Sequence, residues 1–281
     1  MADYAHPEAL ADTEWLAKHA KDPNVRVFEV DVDTKSFDEG HVEGAIGLDW
    51  RRDLQQRPVR DLIDKRELED LLSRSGVRND TTIAIYGDNN NWFAAWFFWL
   101  LKYYGHKDVR LVNGGRAKWL AEGRPLTTDG ATYPRGTYTA KTPDASVRAL
   151  RDLVLERVTD GKAKLIDVRS PKEYAGELLA PENLPQEGAQ RGGHIPGAQN
   201  VPWATAVAED GRFKAADELR TIYEGKGLSR GGETIAYCRI GERSAHTWFV
   251  LRYLLGHDKV RNYDGSWTEW GSLIGVPIEK S

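Results

Sequence analysis

Cys238 is the only cysteine in the 281-residue chain, and its neighbours are unusual for an inert thiol. It stands in Thr234-Ile235-Ala236-Tyr237-Cys238-Arg239-Ile240-Gly241-Glu242-Arg243-Ser244-Ala245, between an apolar run and a helical pattern. The run 234–237 is rich in β-branched and aromatic residues and predicts a buried strand. Ser244 is a favoured N-cap, and residues 245–255 repeat apolar side chains at helix spacing until Gly256 stops them. The spacing thus predicts a thiol at a strand tip, in a short loop leading into a helix N-terminus. Backbone N–H groups converge at such a point, and the helix dipole adds roughly half a positive charge. Arg239 and Arg243 flank the same spot. A free thiol has a pKa of about 8.5, and surroundings of this kind bring it down to roughly 3.5–7.5. A lone cysteine is ordinarily a small buried hydrophobe, but that role has no use for two guanidinium groups. The expectation is a reactive thiolate, with Gly241 supplying a turn of positive φ and the amides of residues 239–244 facing the sulfur.

The elements that must hold this loop are those of an α/β protein. Residues 25–30, 81–86 and 109–112 read as strands, and 62–75 and 92–104 as helices closed by Gly76 and Gly105. Strands alternating with helices at this spacing predict parallel sheets. From Thr127 to Ser146 the composition shifts to Thr, Gly, Pro, Ala and Tyr, and beyond it the pattern restarts as a repeat. Gly105-His106-Lys107-Asp108-Val109-Arg110 matches Gly256-His257-Asp258-Lys259-Val260-Arg261, and at the same spacing Trp119 falls on Trp270. His41-Val42-Glu43-Gly44-Ala45 likewise matches His194-Ile195-Pro196-Gly197-Ala198. The reading is two copies of one unit: a first domain over 1–128, a linker over 129–146 and a second domain over 147–281. Where the second copy has its cysteine loop, the first reads Gly87-Asp88-Asn89-Asn90-Asn91, without nucleophile or arginine. Only the second domain can do thiol chemistry.

Bulk properties narrow the function. A net charge of −4, with no basic stretch, argues against nucleic acid as the main partner. The most apolar segment, 92–101, is about half the roughly 20 residues of a membrane span, so no membrane partner is expected. One cysteine allows no intramolecular disulfide, and the start Met-Ala-Asp-Tyr-Ala-His-Pro lacks the basic and apolar regions of a signal peptide. The expected location is the cytoplasm. The seven histidines are scattered and none neighbours Cys238 at ligand spacing, so neither metal nor cofactor is expected.

Several motifs together resemble the tandem-domain rhodaneses, that is, thiosulfate and 3-mercaptopyruvate sulfurtransferases. They are Ile166-Asp167-Val168-Arg169 with Glu173-Tyr174, then residues 193–203 beginning Gly193-His194-Ile195-Pro196-Gly197-Ala198. The cysteine loop follows, and Tyr263-Asp264-Gly265-Ser266-Trp267-Thr268-Glu269-Trp270 closes the set. The resemblance implies two rhodanese domains, each a mainly parallel five-stranded sheet between helices, with a non-catalytic N-terminal and a catalytic C-terminal copy. It implies that Cys238 takes the outer sulfur of a donor as a persulfide and passes it to a thiophilic acceptor such as cyanide or a thiol. Arg239, Ile240, Gly241, Glu242, Arg243 and Ser244 would form the loop around that sulfur.

Two departures from the mammalian-type pattern remove positive charge: Glu173 stands for a substrate arginine, and Ile240 for a lysine. Arg191, Arg239 and Arg243 are the available replacements. Asp167, Arg169 and Glu173 are read as structural support, with Glu173 expected to pair with Arg169, and His194 as a structural hydrogen-bonding residue. Cationic groups at the loop mouth favour dianionic thiosulfate as donor. The alternatives are 3-mercaptopyruvate as donor, or a non-enzymatic module or carrier handing persulfide sulfur to an acceptor protein. Related phosphatase domains place five residues between cysteine and arginine; here four separate Cys238 from Arg243, a ring better sized for sulfur.

Overall fold

A computed structural model describes residues 4–56, 59–181 and 188–280. The chain forms two compact units. One comprises Glu8–Asp144 and Glu209–Phe213; the other comprises Met1–Pro7, Ala145–Ala208 and Lys214–Ser281.

The first unit is built on a five-stranded parallel sheet. Its strands run in the order Leu10–Ala11, Val109–Val112, Thr82–Tyr86, Val25–Asp31 and Ala45–Asp49. Every residue of Val25–Asp31 is buried, as expected of a central parallel strand covered on both faces. The helix Trp92–Tyr103 is apolar all round and buried continuously from Phe93 to Leu101, so it lies inside the core rather than on it. Phe97 meets Phe28 of the sheet edge to face at 5.5 Å, and Trp96 meets Trp50 at 5.7 Å. Of residues 129–146, read from composition as a linker, 129–144 are laid down on this unit. The Tyr133 hydroxyl donates to the Gly44 carbonyl (2.6 Å), and the amides of Gly136 and Tyr138 donate to the carbonyl and hydroxyl of Ser73 (2.7 and 3.1 Å).

The second unit repeats the topology: Arg148–Ala149, Val260–Tyr263, Glu233–Tyr237, Ala163–Asp167 and Gln199–Asn200, all parallel. The cysteine strand Glu233–Tyr237 is the middle one, with Ile235 paired to Leu165 on one side and to Arg261 on the other. Its apolar residues pack with Ile195, Tyr263, Trp267 and Trp270, all buried. A central parallel strand ends where the helices on both faces have not yet closed, which is where α/β folds present ligands.

The helix after the cysteine begins earlier than its sequence suggests. It spans Glu242–Phe249, with Gly241 (φ +99°) as N-cap, and continues as a π-helical turn over Val250–Leu254. Ser244 therefore lies inside the first turn instead of capping it. The glycine takes the cap because the loop must turn sharply there. A Cβ at Gly241 would stand 2.8 Å from the Cα of Asp264, and its φ is one that β-carbon sterics penalise.

Candidate active site

Cys238 comes directly after the strand, and its backbone is clamped from below. Its N–H donates to Ser266 Oγ (3.1 Å), whose hydroxyl donates to the Tyr263 carbonyl (2.6 Å). The Cys238 and Arg239 carbonyls accept from the amides of Trp267 and Thr268, each at 3.0 Å. The loop then curls back on the sulfur: the Gly241 N–H points at Cys238 Sγ at 3.1 Å. Asn262 fixes the far side. Its Nδ2 donates to the Gly241 carbonyl (3.1 Å), and its Oδ1 accepts from Ser244 Oγ (2.6 Å). With that proton committed, Ser244 Oγ stands 3.6 Å from the sulfur.

All seven residues from Cys238 to Ser244 are buried. This changes the electrostatics expected of the loop. Burial, and after it the Glu242 carboxylate, push the Cys238 thiol above its ordinary value, and the opposing pull of Arg243 and Ser244 is smaller. Burial and Glu242 both act against the preformed thiolate that the flanking arginines suggest. The thiol's partner is Glu242 Oε2, 3.2 Å from Sγ.

The reason lies in where the charges go. Arg243 directs its two terminal nitrogens at Glu173, at 2.9 and 3.0 Å, as a buried fork-to-fork pair. Burial alone would raise the Glu173 carboxyl, but Arg243 prevails and holds it down at about 2. Glu173 thus pairs with Arg243 rather than with Arg169. It also closes a capping box with Ser170 at the start of the helix Pro171–Ala175. Arg169 is occupied by Asp167 (2.9 and 3.1 Å from Nε) and by the Gly193 carbonyl (2.7 Å), and it lies over the Trp267 ring at 4.5 Å. Asp167 also pairs in register with Tyr237, the residue before Cys238, and so borders the loop from the neighbouring strand.

Arg191, considered as a substrate contact, has another occupation. Its guanidinium donates to the carbonyls of Gly271, Trp270 and Leu273, tying down the turn after the last helix. Arg239 is 1% exposed, so neither loop arginine stands at a solvent-facing mouth. His194 stacks on Tyr174 at 3.6 Å and its Nδ1 bonds the Tyr174 carbonyl at 2.9 Å. His246, one helical turn past Glu242, is lowered to about 3 by burial and is neutral.

Three supports were not assigned from sequence: Ser266, Asn262 and the Arg148–Asp264 pair (2.9 and 3.0 Å) behind Gly241. The stretch from Tyr263 to Trp270 marked the region. Nothing in it says that a hydroxyl 28 residues away holds the cysteine amide.

Fold and site together define a duplicated parallel α/β protein with one strand-tip thiol loop. The family model "Rhodanese-like domain" matches twice, over residues 12–122 and 150–273. The chain belongs to the rhodanese family, in its tandem-domain form. It is 57% identical to the "Sulfur carrier protein TtuD" of Thermus thermophilus, over 99% of this chain and 98% of that one. It is 54% identical to a Mycolicibacterium smegmatis protein named "Putative thiosulfate sulfurtransferase", over 98% and 99% of the two chains. Among solved structures it is similar to SseA from Escherichia coli, described with the 3-mercaptopyruvate sulfotransferases (TM-score 0.79, 26% identity, 92% of this chain and 98% of that one). No helix among the described residues is long and apolar enough to cross a membrane.

Proposed function

We propose that this protein is a sulfurtransferase that carries sulfane sulfur on Cys238, with thiosulfate as its donor. The observation that carries the reading is the Gly241 N–H held 3.1 Å from Cys238 Sγ, in a loop with four residues between the cysteine and Arg243. Such a donor stabilises charge on sulfur as an oxyanion hole stabilises it on oxygen. In the first step Cys238 sulfur attacks the outer sulfur of thiosulfate. The new S–S bond forms, the old one breaks, and sulfite leaves with the electron pair. In the second step a thiophile, cyanide or a thiolate, takes the outer sulfur and returns Cys238.

The name of the Mycolicibacterium relative supports thiosulfate as donor. Arg239 and Arg243 bring positive charge into the loop, although Arg243 is shared with Glu173. A second reading, a carrier that hands its persulfide to another protein, draws on the name of the Thermus relative. It uses the same first step.

Incubating the protein with thiosulfate and no acceptor should add the mass of one sulfur, removable by cyanide or reductant. Cys238→Ser should show neither adduct nor turnover. A serine variant that still turns over, or a wild type that takes up no sulfur, ends this reading.

A further inference from the structure

The geometry points to Glu242 as the group that takes the thiol proton when Cys238 attacks its donor. This rests on the sulfurtransferase reading above and adds a residue to it. The Gly241 N–H, Ser244 Oγ and Glu242 Oε2 approach Sγ, and the Ser244 amide also bonds it. The amides are donors and cannot accept a proton. The serine hydroxyl spends its own proton on Asn262 and stands 3.6 Å away. Of these groups only the carboxylate, at 3.2 Å, has both the capacity and the distance. Cys238 is 0% and Glu242 1% exposed, so bulk water does not compete for the proton.

The charged groups around Glu242 leave it that freedom. Arg243, on the same helix, reaches Glu242 Oε1 through Nε at 3.5 Å and directs its fork at Glu173 from the helix Pro171–Ala175. Asp264 packs behind Gly241 and is paired with Arg148. Glu242 Oε1 makes no hydrogen bond.

The step balances. The S–H bond breaks and an O–H bond forms on Glu242; Cys238 sulfur bonds the outer sulfur of thiosulfate; the S–SO3 bond breaks and sulfite carries off its electron pair. Thiol, carboxylate and thiosulfate dianion become persulfide anion, carboxylic acid and sulfite dianion, with total charge unchanged. The transfer also removes the Glu242 charge, which would repel a persulfide anion in this buried loop. When an acceptor takes the outer sulfur, the Cys238 thiolate recovers its proton from Glu242.

The test is single-turnover sulfite release from thiosulfate, measured between about pH 6 and pH 8 for wild type, Glu242→Gln and Glu242→Asp. With an internal base the wild-type rate is flat across this window. Glu242→Gln should be slower at pH 7 by roughly tenfold to a hundredfold and should rise about tenfold per pH unit, because solvent must now remove the proton. Glu242→Asp should be slower but flat. A glutamine variant as fast as wild type at pH 7, or with the wild-type profile, overturns the assignment. If the glutamine variant does not fold, an aspartate variant whose rate follows hydroxide overturns it equally. Alkylation of Cys238 by iodoacetamide over the same range reads the thiol without any sulfur donor. Flat in wild type and sloping in Glu242→Gln supports Glu242 even if thiosulfate proves unreactive; parallel profiles refute it.

Discussion

The two units have the same sheet topology, a histidine lock and a strand-tip tyrosine each, and differ in the loop beyond that tyrosine. In each, the tyrosine oxygen accepts from a backbone amide at 3.0 Å: Tyr86 from Val42, Tyr237 from Ile195. In each, a histidine stacks on an aromatic ring of the preceding helix and bonds its carbonyl at 2.9 Å: His41 with Phe37, His194 with Tyr174. Past the tyrosines the loops part. The second unit needs one left-handed residue, Gly241, and points an N–H at a sulfur. The first strings Asn89, Asn90 and Asn91 through left-handed φ, which asparagine tolerates better than most residues. Asn91 then turns its side chain back on the strand tip, accepting from the Gly87 N–H at 3.0 Å and donating to the Val112 carbonyl at 2.7 Å. Counting from the tyrosines, Asn91 and Glu242 occupy the same position. One is a neutral amide that plugs its cradle; the other is a carboxylate that faces a thiol.

The buried ion pairs differ in the same way. The first unit joins Arg116 to Glu29 at 2.8 Å and to the Gly40 carbonyl. The second satisfies the matching carbonyl, that of Gly193, with Arg169 paired to Asp167. The pairing survives although the arginine comes from a different element, which leaves the Trp267 ring where the first unit has its arginine. Charge compensation in a buried place was retained, and the residue supplying it was not.

Removing the arginines challenges this contrast most severely. Arg243→Ala leaves Glu173 buried without its partner and should cost about 3–5 kcal/mol of stability, together with persulfide formation. Arg116→Ala should cost a similar amount by stranding Glu29, while the folded fraction still loads one sulfur at the wild-type rate. Urea unfolding and intact mass on the same samples separate the two. Loss of loading in Arg116→Ala would mean that the first unit is not chemically silent.

A middle-sized effect should appear at Asp31, which donates no charge to any reaction. Burial, reinforced by the Asp88 charge, raises its carboxyl to about 9. It is therefore protonated in the folded state and ionised in the unfolded chain between about pH 4 and pH 9. The unfolded state binds fewer protons there, so this group makes stability fall as pH rises through the window. Asp31→Asn keeps an acceptor for the Asp88 amide (2.8 Å) and removes the penalty. It should stabilise by about 1–3 kcal/mol at pH 8 and by less at pH 5, in urea midpoints. An equal effect at both values would place the proton elsewhere.

The smallest effect distinguishes a tether from a substrate contact. Arg191→Ala frees the carbonyls of residues 270, 271 and 273 and should cost about 1 kcal/mol. KM for thiosulfate should stay unchanged. A several-fold rise in KM at constant stability would return Arg191 to the donor site.

Much of the fold was legible because it rests on short-range pattern. The apolar runs, the stops at Gly76, Gly105 and Gly256 and the internal repeat each depend on residues close in sequence. The position of Cys238 at a strand tip before a helix comes from the same information. The helix start does not: Ser244 is the better cap by propensity, yet Gly241 holds it. The turn there leaves no room for a side chain, since a Cβ at residue 241 would stand 2.8 Å from the Cα of Asp264, a residue at another strand end.

The amino-acid sequence alone determined that there are two copies of one α/β unit and that only the second carries a cysteine. Those are facts of periodicity and residue type. The tertiary structure decided the surroundings of that cysteine. Whether Arg243 activates Cys238 or neutralises Glu173 depends on which carboxylate a guanidinium meets across 70 residues of chain. In a buried site the nearest opposite charge outweighs every more distant one, because no water screens the choice. Two arginines beside a cysteine read as a thiolate; folded, one of them is shared with Glu173, and Glu242 faces the sulfur.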